Sequence, residues 1–188
     1  MRLKNEALIW PVLLAALLGG CESEPTAQQQ QRSEQERAAT LQTPQSIAIE
    51  HGELHETLAR AAGEGGEVGA AAGELERALA PHFKREEEIA TPPLGLLLPL
   101  AQGDATPEMR SVLLMTDALE RELPQMLREH DAIRMAVTKF RAAAERKGQQ
   151  DYVRFADNLA AHARQEEEIL YPAAILVGRH VAGTAPQR

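Results

Sequence analysis

The sequence predicts an all-α protein, an antiparallel up-and-down four-helix bundle in which one helix pair is used twice. Three observations predict it. Apolar residues recur at helical spacing in four segments of roughly 20 residues. Two of these segments carry the same signature, His82 to Glu86 and His162 to Glu166, each with a proline a few residues on. Each is preceded by a segment with one histidine in its apolar stripe, and the spacing is nearly the same: 31 residues from His51 to His82, 32 from His130 to His162.

Length and composition agree. The chain has 188 residues, enough for one sizeable domain and short for two, and aromatic residues make up only 3%. A net charge of -8 argues against a nucleic-acid partner, which would call for a basic face. It argues equally against an electrostatic grip on acidic headgroups.

Residues 1–20 read as an address. Arg2 and Lys4 give a positive start, Ala7 to Leu18 is almost wholly apolar, and Leu18-Gly19-Gly20 leads into Cys21, the single cysteine. That is the layout of a secretory signal peptide, and the apolar run is shorter than the ~20 residues a membrane-spanning helix needs. The small-residue run ending in cysteine resembles the lipobox of bacterial lipoproteins. It implies cleavage before Cys21, lipidation of that residue, and a protein anchored by lipid in a bacterial cell envelope, facing the periplasm. Removing residues 1–20 takes away a net +1 (Arg2, Lys4, Glu6), leaving the mature chain near -9. With Cys21 acylated no disulfide within the chain is possible, so packing or metal must hold the domain.

From residue 21 to 42 the chain is mostly Gln, Glu, Ser and Ala with scarcely an apolar anchor. It cannot bury enough surface to offset its chain entropy, and reads as a disordered tether. The domain spans 43–178. Thr43-Pro44 is an N-cap followed by a first-turn proline, and the first helix runs to about Ala62, where Gly63, Gly65 and Gly66 break it. The second runs from about Val68 to Thr91 and stops at Pro92-Pro93. A connector rich in leucine and proline follows, and Thr106-Pro107 repeats the cap signal to open an extra helix to about Leu123. Pro124 starts the third main helix, which ends near Lys147-Gly148. The fourth runs from about Asp151 to Tyr171 and is closed by Pro172, leaving 179–188, with His180, as a frayed, exposed tail.

At about 100° per residue the four apolar stripes read Ile47, His51, Leu54, Leu58; Leu75, Leu79, His82, Glu86, Ile89; Met126, His130, Ile133, Val137, Phe140; and Phe155, Leu159, His162, Glu166, Ile169. Glu167 and Glu168 fall outside the last stripe and read as solvated. Six polar side chains therefore stand where the pattern demands core: His51, His82, Glu86, His130, His162 and Glu166. A buried ionised carboxylate without a partner is expensive, and the stripes contain no Lys or Arg to pair with one. Bound cations resolve this, because imidazole and carboxylate suit iron, manganese or zinc. Four His and two Glu exceed the needs of one four-coordinate zinc but suit two ions that share the carboxylates.

These residues carry a resemblance. From about Ile47 to Gly178, Glu50-His51, His82 to Glu86, Glu129-His130 and His162 to Glu166 resemble the pattern of hemerythrin-like (HHE cation-binding) domains. The resemblance implies a bundle around two non-haem iron ions (Fe2+/Fe3+), with the four histidines as terminal ligands and Glu86 and Glu166 as bridges. It implies binding or sensing of dioxygen or a related small molecule such as nitric oxide or a peroxide. The chain departs from oxygen-carrying hemerythrins at Arg134, where they have a second third-helix histidine, and it carries an extra histidine, His55, one turn after His51. The missing ligand leaves a coordination position for water or another small molecule. Two other functional classes stay open: a di-iron oxidase or peroxidase, and an iron-storing or metal-gated protein that presents the Leu94–Leu100 connector to a partner.

Overall fold

The computed structural model describes residues 41–184. The signal segment, Cys21 and nearly all of the tether lie outside the described residues, as do 185–188. Among the described residues there are only helices and turns: α1 (Gln45–Gly63), α2 (Gly66–Ile89), a 3-10 segment (Pro92–Leu96), the short α3 (Leu97–Gln102), a second 3-10 segment (Pro107–Val112), α4 (Leu113–Arg146), α5 (Gln150–Gln165), a π-helical turn (Glu166–Leu170) and α6 (Tyr171–Thr184). None of these helices is long and apolar enough to cross a membrane.

The expected four-helix bundle is present, built from α1, α2, α4 and α5 with its π-turn extension into α6. Short turns join the pairs and make them antiparallel. In the first turn Gly65 and Gly66 have φ of 73° and 57°, and in the second Gly148 has 69°, a region open to glycine at little cost. Helix α2 lies along α4, and Arg85 reinforces the contact by donating Nε and Nη2 to the two carboxylate oxygens of Glu122 at 2.8 and 2.6 Å.

The apolar stripes bury as read, except that Ile47 is only partly buried and one further residue, discussed below, is exposed. They form two clusters: one around Leu58, Leu75, Leu79, Phe83, Ile133, Phe140 and Leu159, the other around Ile89, Leu119, Met126, Tyr171 and Ala174. On α2 the first cluster ends at Phe83 and the second begins at Ile89; on α4 the break falls between Met126 and Ile133. The polar residues occupy that break, so a hydrophilic layer is sandwiched between two greasy ones.

Several boundaries differ from the sequence expectation. Thr43 does not cap α1, which starts one residue later with Pro44 at the cap; the Thr43 hydroxyl is instead 2.7 Å from that of Thr91. Pro107 opens a 3-10 segment rather than an α-helix. Pro124 does not start a helix but lies inside α4. Proline in a helix interior costs ~3 kcal/mol, and here the buried face running from Leu119 to Met126 offsets it. Pro172 does not end the last helix either. The turn before it widens: the Tyr171 N–H donates to the carbonyl of Glu166, five residues back, so the chain passes the proline and continues as α6. The stretch from 179 to 184 is consequently helical rather than frayed. Val177 and Val181 are buried against Leu96, Met109 and Val112 of the connector, while His180 is exposed.

Candidate metal centre

All six residues selected from the stripes are buried, and the fold brings them into two adjoining groups. Potential ligand atoms of His82, Glu86, His130 and Glu166 lie within 4.8 Å of one another, as do those of His51, His162 and Glu166. Glu166 belongs to both. One of its oxygens is 2.7 Å from His162 Nε2 and 3.6 Å from His51 Nε2, and the other is 3.3 Å from His130 Nε2. His82 and His130 face each other with Nε2 atoms 2.8 Å apart, and Glu86 Oε1 is 3.5 Å from His82 Nε2.

The other ring nitrogens face outward, each toward a carboxylate. His82 Nδ1 donates to Glu129 at 2.9 Å and His130 Nδ1 to Glu167 at 2.8 Å. His162 Nδ1 is 3.1 Å from Glu50, and His51 Nδ1 is 3.7 Å from Glu87. The repeat generates this pattern: Glu50 and Glu129 each precede a ligand-layer histidine, and Glu87 and Glu167 each follow a ligand-layer glutamate. A carboxylate on Nδ1 fixes the tautomer that leaves Nε2 bare and raises its basicity. Glu167 is therefore not simply solvated. It is 22% exposed, and Arg134 also donates to it, at 2.7 Å.

Charges in the layer are strongly coupled. Burial resists ionisation of Glu166, but the imidazoles of His130, His162 and His51 gathered around it hold its carboxyl well below the usual carboxylate range. Burial would push the His162 imidazolium down, yet Glu166 and Glu50 outweigh it and raise the pKa to about 9. His82 is raised in the same way, against burial, by Glu86 and Glu129. Without metal, protons on His82 and His162 supply positive charge beside the carboxylates.

The donor set fits a cation. His51 Nε2, His162 Nε2, Glu166 Oε1 and Glu86 Oε2 are buried with no hydrogen-bond partner, and buried polar atoms are rarely left so. All four belong to the two groups. Extended side chains with bare Nε2 and carboxylate oxygens are what iron or a similar ion binds.

Two residues left open by the sequence now have places. His55 is exposed, edge-on to Phe83, and outside both groups. Arg134 pairs with Glu167 and Asp131 rather than entering the layer. One residue was missed. The Tyr171 hydroxyl donates to Glu86 Oε1 and lies 3.4 and 3.3 Å from the Nε2 atoms of His82 and His130. Ile169, read as part of the stripe, is 57% exposed, whereas its counterpart Ile89 is 4% exposed. The π turn explains both. An extra residue in the turn carries Ile169 outward and brings Tyr171 over Glu166, where an α-helix would have put residue 170.

Fold and layer together define a helical-bundle protein with a carboxylate-histidine metal centre. The sequence model of the hemerythrin HHE cation binding domain matches residues 45–174. The chain belongs to that family. No curated protein and no solved structure matches the chain.

Proposed function

We propose that the protein holds two non-haem iron ions in this layer and uses them to bind or sense a small molecule, dioxygen, nitric oxide or a peroxide, at the bacterial cell envelope. The reading rests above all on the two buried donor groups that share Glu166. His51 and His162 would hold one ion, His82, His130 and Glu86 the other, and Glu166 both. Bound iron supplies reversible electron exchange with such a ligand. The chain's own part is to fix the imidazoles through Glu50, Glu87, Glu129 and Glu167, and to wall off water with apolar clusters on both sides of the layer. The family assignment supports a cation; the iron pair is our inference from the donor set, and the small-molecule ligand is what the resemblance to hemerythrin-like domains implies.

The anchor belongs to the same proposal: acylated Cys21, with the tether to residue 42, would hold the domain at the membrane facing the periplasm. Metal analysis of protein from iron-replete cells tests the centre. Two irons per chain, forming a coupled ferric pair silent in electron paramagnetic resonance, support it; a single zinc or no metal rejects it. Fatty-acid labelling that disappears in Cys21→Ser tests the anchor.

A further inference from the structure

Among the described residues, Tyr171 is the polar residue of the layer that the histidine and glutamate pattern does not account for. It is 1% exposed, and its ring stacks on His130 with centroids 5.7 Å apart and planes 19° from parallel. Its hydroxyl touches only members of one donor group: Glu86, His82 and His130.

The distances are those of donors around a common centre. Atoms bound to one cation at about 2.1 Å sit roughly 3 Å apart at right angles and about 3.4 Å apart in a tetrahedron. Within this group His82–His130, His130–Glu166 and His82–Glu86 are separated by 2.8, 3.3 and 3.5 Å. The hydroxyl's separations of 3.4 and 3.3 Å from the two imidazoles fall in the same range. The π turn achieves this by bringing residue 171 over Glu166. Such turns recur at functional sites.

Resting on the di-iron reading above, we propose that Tyr171 is itself a metal ligand, its phenolate oxygen joining His82, His130, Glu86 and Glu166 on one ion. In the metal-free chain the hydroxyl donates to Glu86. Coordination breaks the O–H bond, sends that proton to solvent and forms the metal–oxygen bond; no electron is transferred.

The repeat gives the other group no such donor: the counterpart of Tyr171 is Thr91, which is tied to Thr43, so the His51 and His162 group would offer an ion fewer protein donors. The two donor groups are therefore inequivalent.

The full chain, purified in detergent and loaded with ferric iron, tests this by iron count, visible absorption and resonance Raman spectroscopy. The expected result is two irons and a phenolate-to-iron charge-transfer band that enhances tyrosine ring modes. Tyr171→Phe keeps the ring and is expected to keep both irons while losing the band. Tyr152, the other of the two tyrosines, bonds Glu64 at 3.1 Å among surface residues; Tyr152→Phe keeps the band and assigns it to Tyr171 even if the first variant folds poorly. Two irons without tyrosine modes, or a band that survives in Tyr171→Phe, overturns the ligand role and leaves the di-iron reading standing. No bound iron overturns both.

Discussion

His130 Nδ1 donates to Glu167 Oε1 at 2.8 Å, and the same oxygen accepts from Arg134 at 2.7 Å. One acid thus orients a ligand-layer imidazole and is itself held by an arginine. Losing such a partner typically weakens metal binding 10–100-fold. Glu167→Ala is expected to do so, measured by competition with a chelator. Glu87→Ala is expected to be milder, because Glu87 is 55% exposed and 3.7 Å from His51. Glu168 is exposed, and Glu168→Ala is expected to leave affinity unchanged. Equal affinities in all three would show that the outward nitrogens need no carboxylate.

Glu166 and Glu86 occupy matching places in the repeat but do not play equal parts. Glu166 reaches both donor groups and Glu86 only one, and Glu86 Oε1 accepts from the Tyr171 hydroxyl. Iron counts after equilibrium loading are expected to fall from two to near zero in Glu166→Ala, and to about one in Glu86→Ala, where Glu166 still completes the His51 and His162 group. Identical losses would mean that the two glutamates bridge symmetrically.

Protons and metal compete for the same imidazoles, which sets a pH dependence. The His162 pKa is raised to about 9 from 6.5. In the metal-free protein this contributes stability that is complete below pH 6.5 and is lost as pH rises through 9. Metal binding displaces that proton, so ferrous affinity rises over the same interval and levels off above it. The gap in melting temperature between anaerobically iron-loaded and metal-free protein is therefore expected to widen from pH 6.5 to 9. A gap independent of pH would mean that His162 carries no proton in the metal-free state.

Much of this was legible because a helix projects its stripe at a fixed angle. Counting by 100° placed His51, His82, Glu86, His130, His162 and Glu166 inward, and all six are buried. The helical periodicity gave no hint of where that angle changes. A single widened turn at Glu166–Leu170 exchanged Ile169 for Tyr171 and let the chain run past Pro172. Pro124 misled for a related reason: local propensity marks it as a helix start, while burial on either side keeps α4 continuous. The outward acids were hidden because Glu87 and Glu167 meet their histidines across helices, a contact that no periodicity within one helix reports.

Where α6 crosses α4, Gly178 lies against Thr116. A Cβ at residue 178 would fall 2.1 Å from the Thr116 Oγ1 and 2.6 Å from its Cβ. Thr116 is buried, and its hydroxyl donates to the Leu113 carbonyl, so it has little room to yield. Overpacking of this kind typically costs 1–3 kcal/mol, outweighing the ~1 kcal/mol by which alanine favours a helix over glycine. Gly178→Ala is expected to lower the melting temperature of the metal-loaded protein. Gly73, inside α2, meets nothing closer than the Arg77 guanidinium at 3.8 Å, and there only the propensity gain operates: Gly73→Ala is expected to raise the melting temperature. Adding Thr116→Ala to Gly178→Ala removes the hydroxyl and methyl from the clash while leaving the Cβ, so it restores part of the loss. If both glycine variants shift stability in the same direction, the helices do not approach as closely at Gly178 as the structure shows.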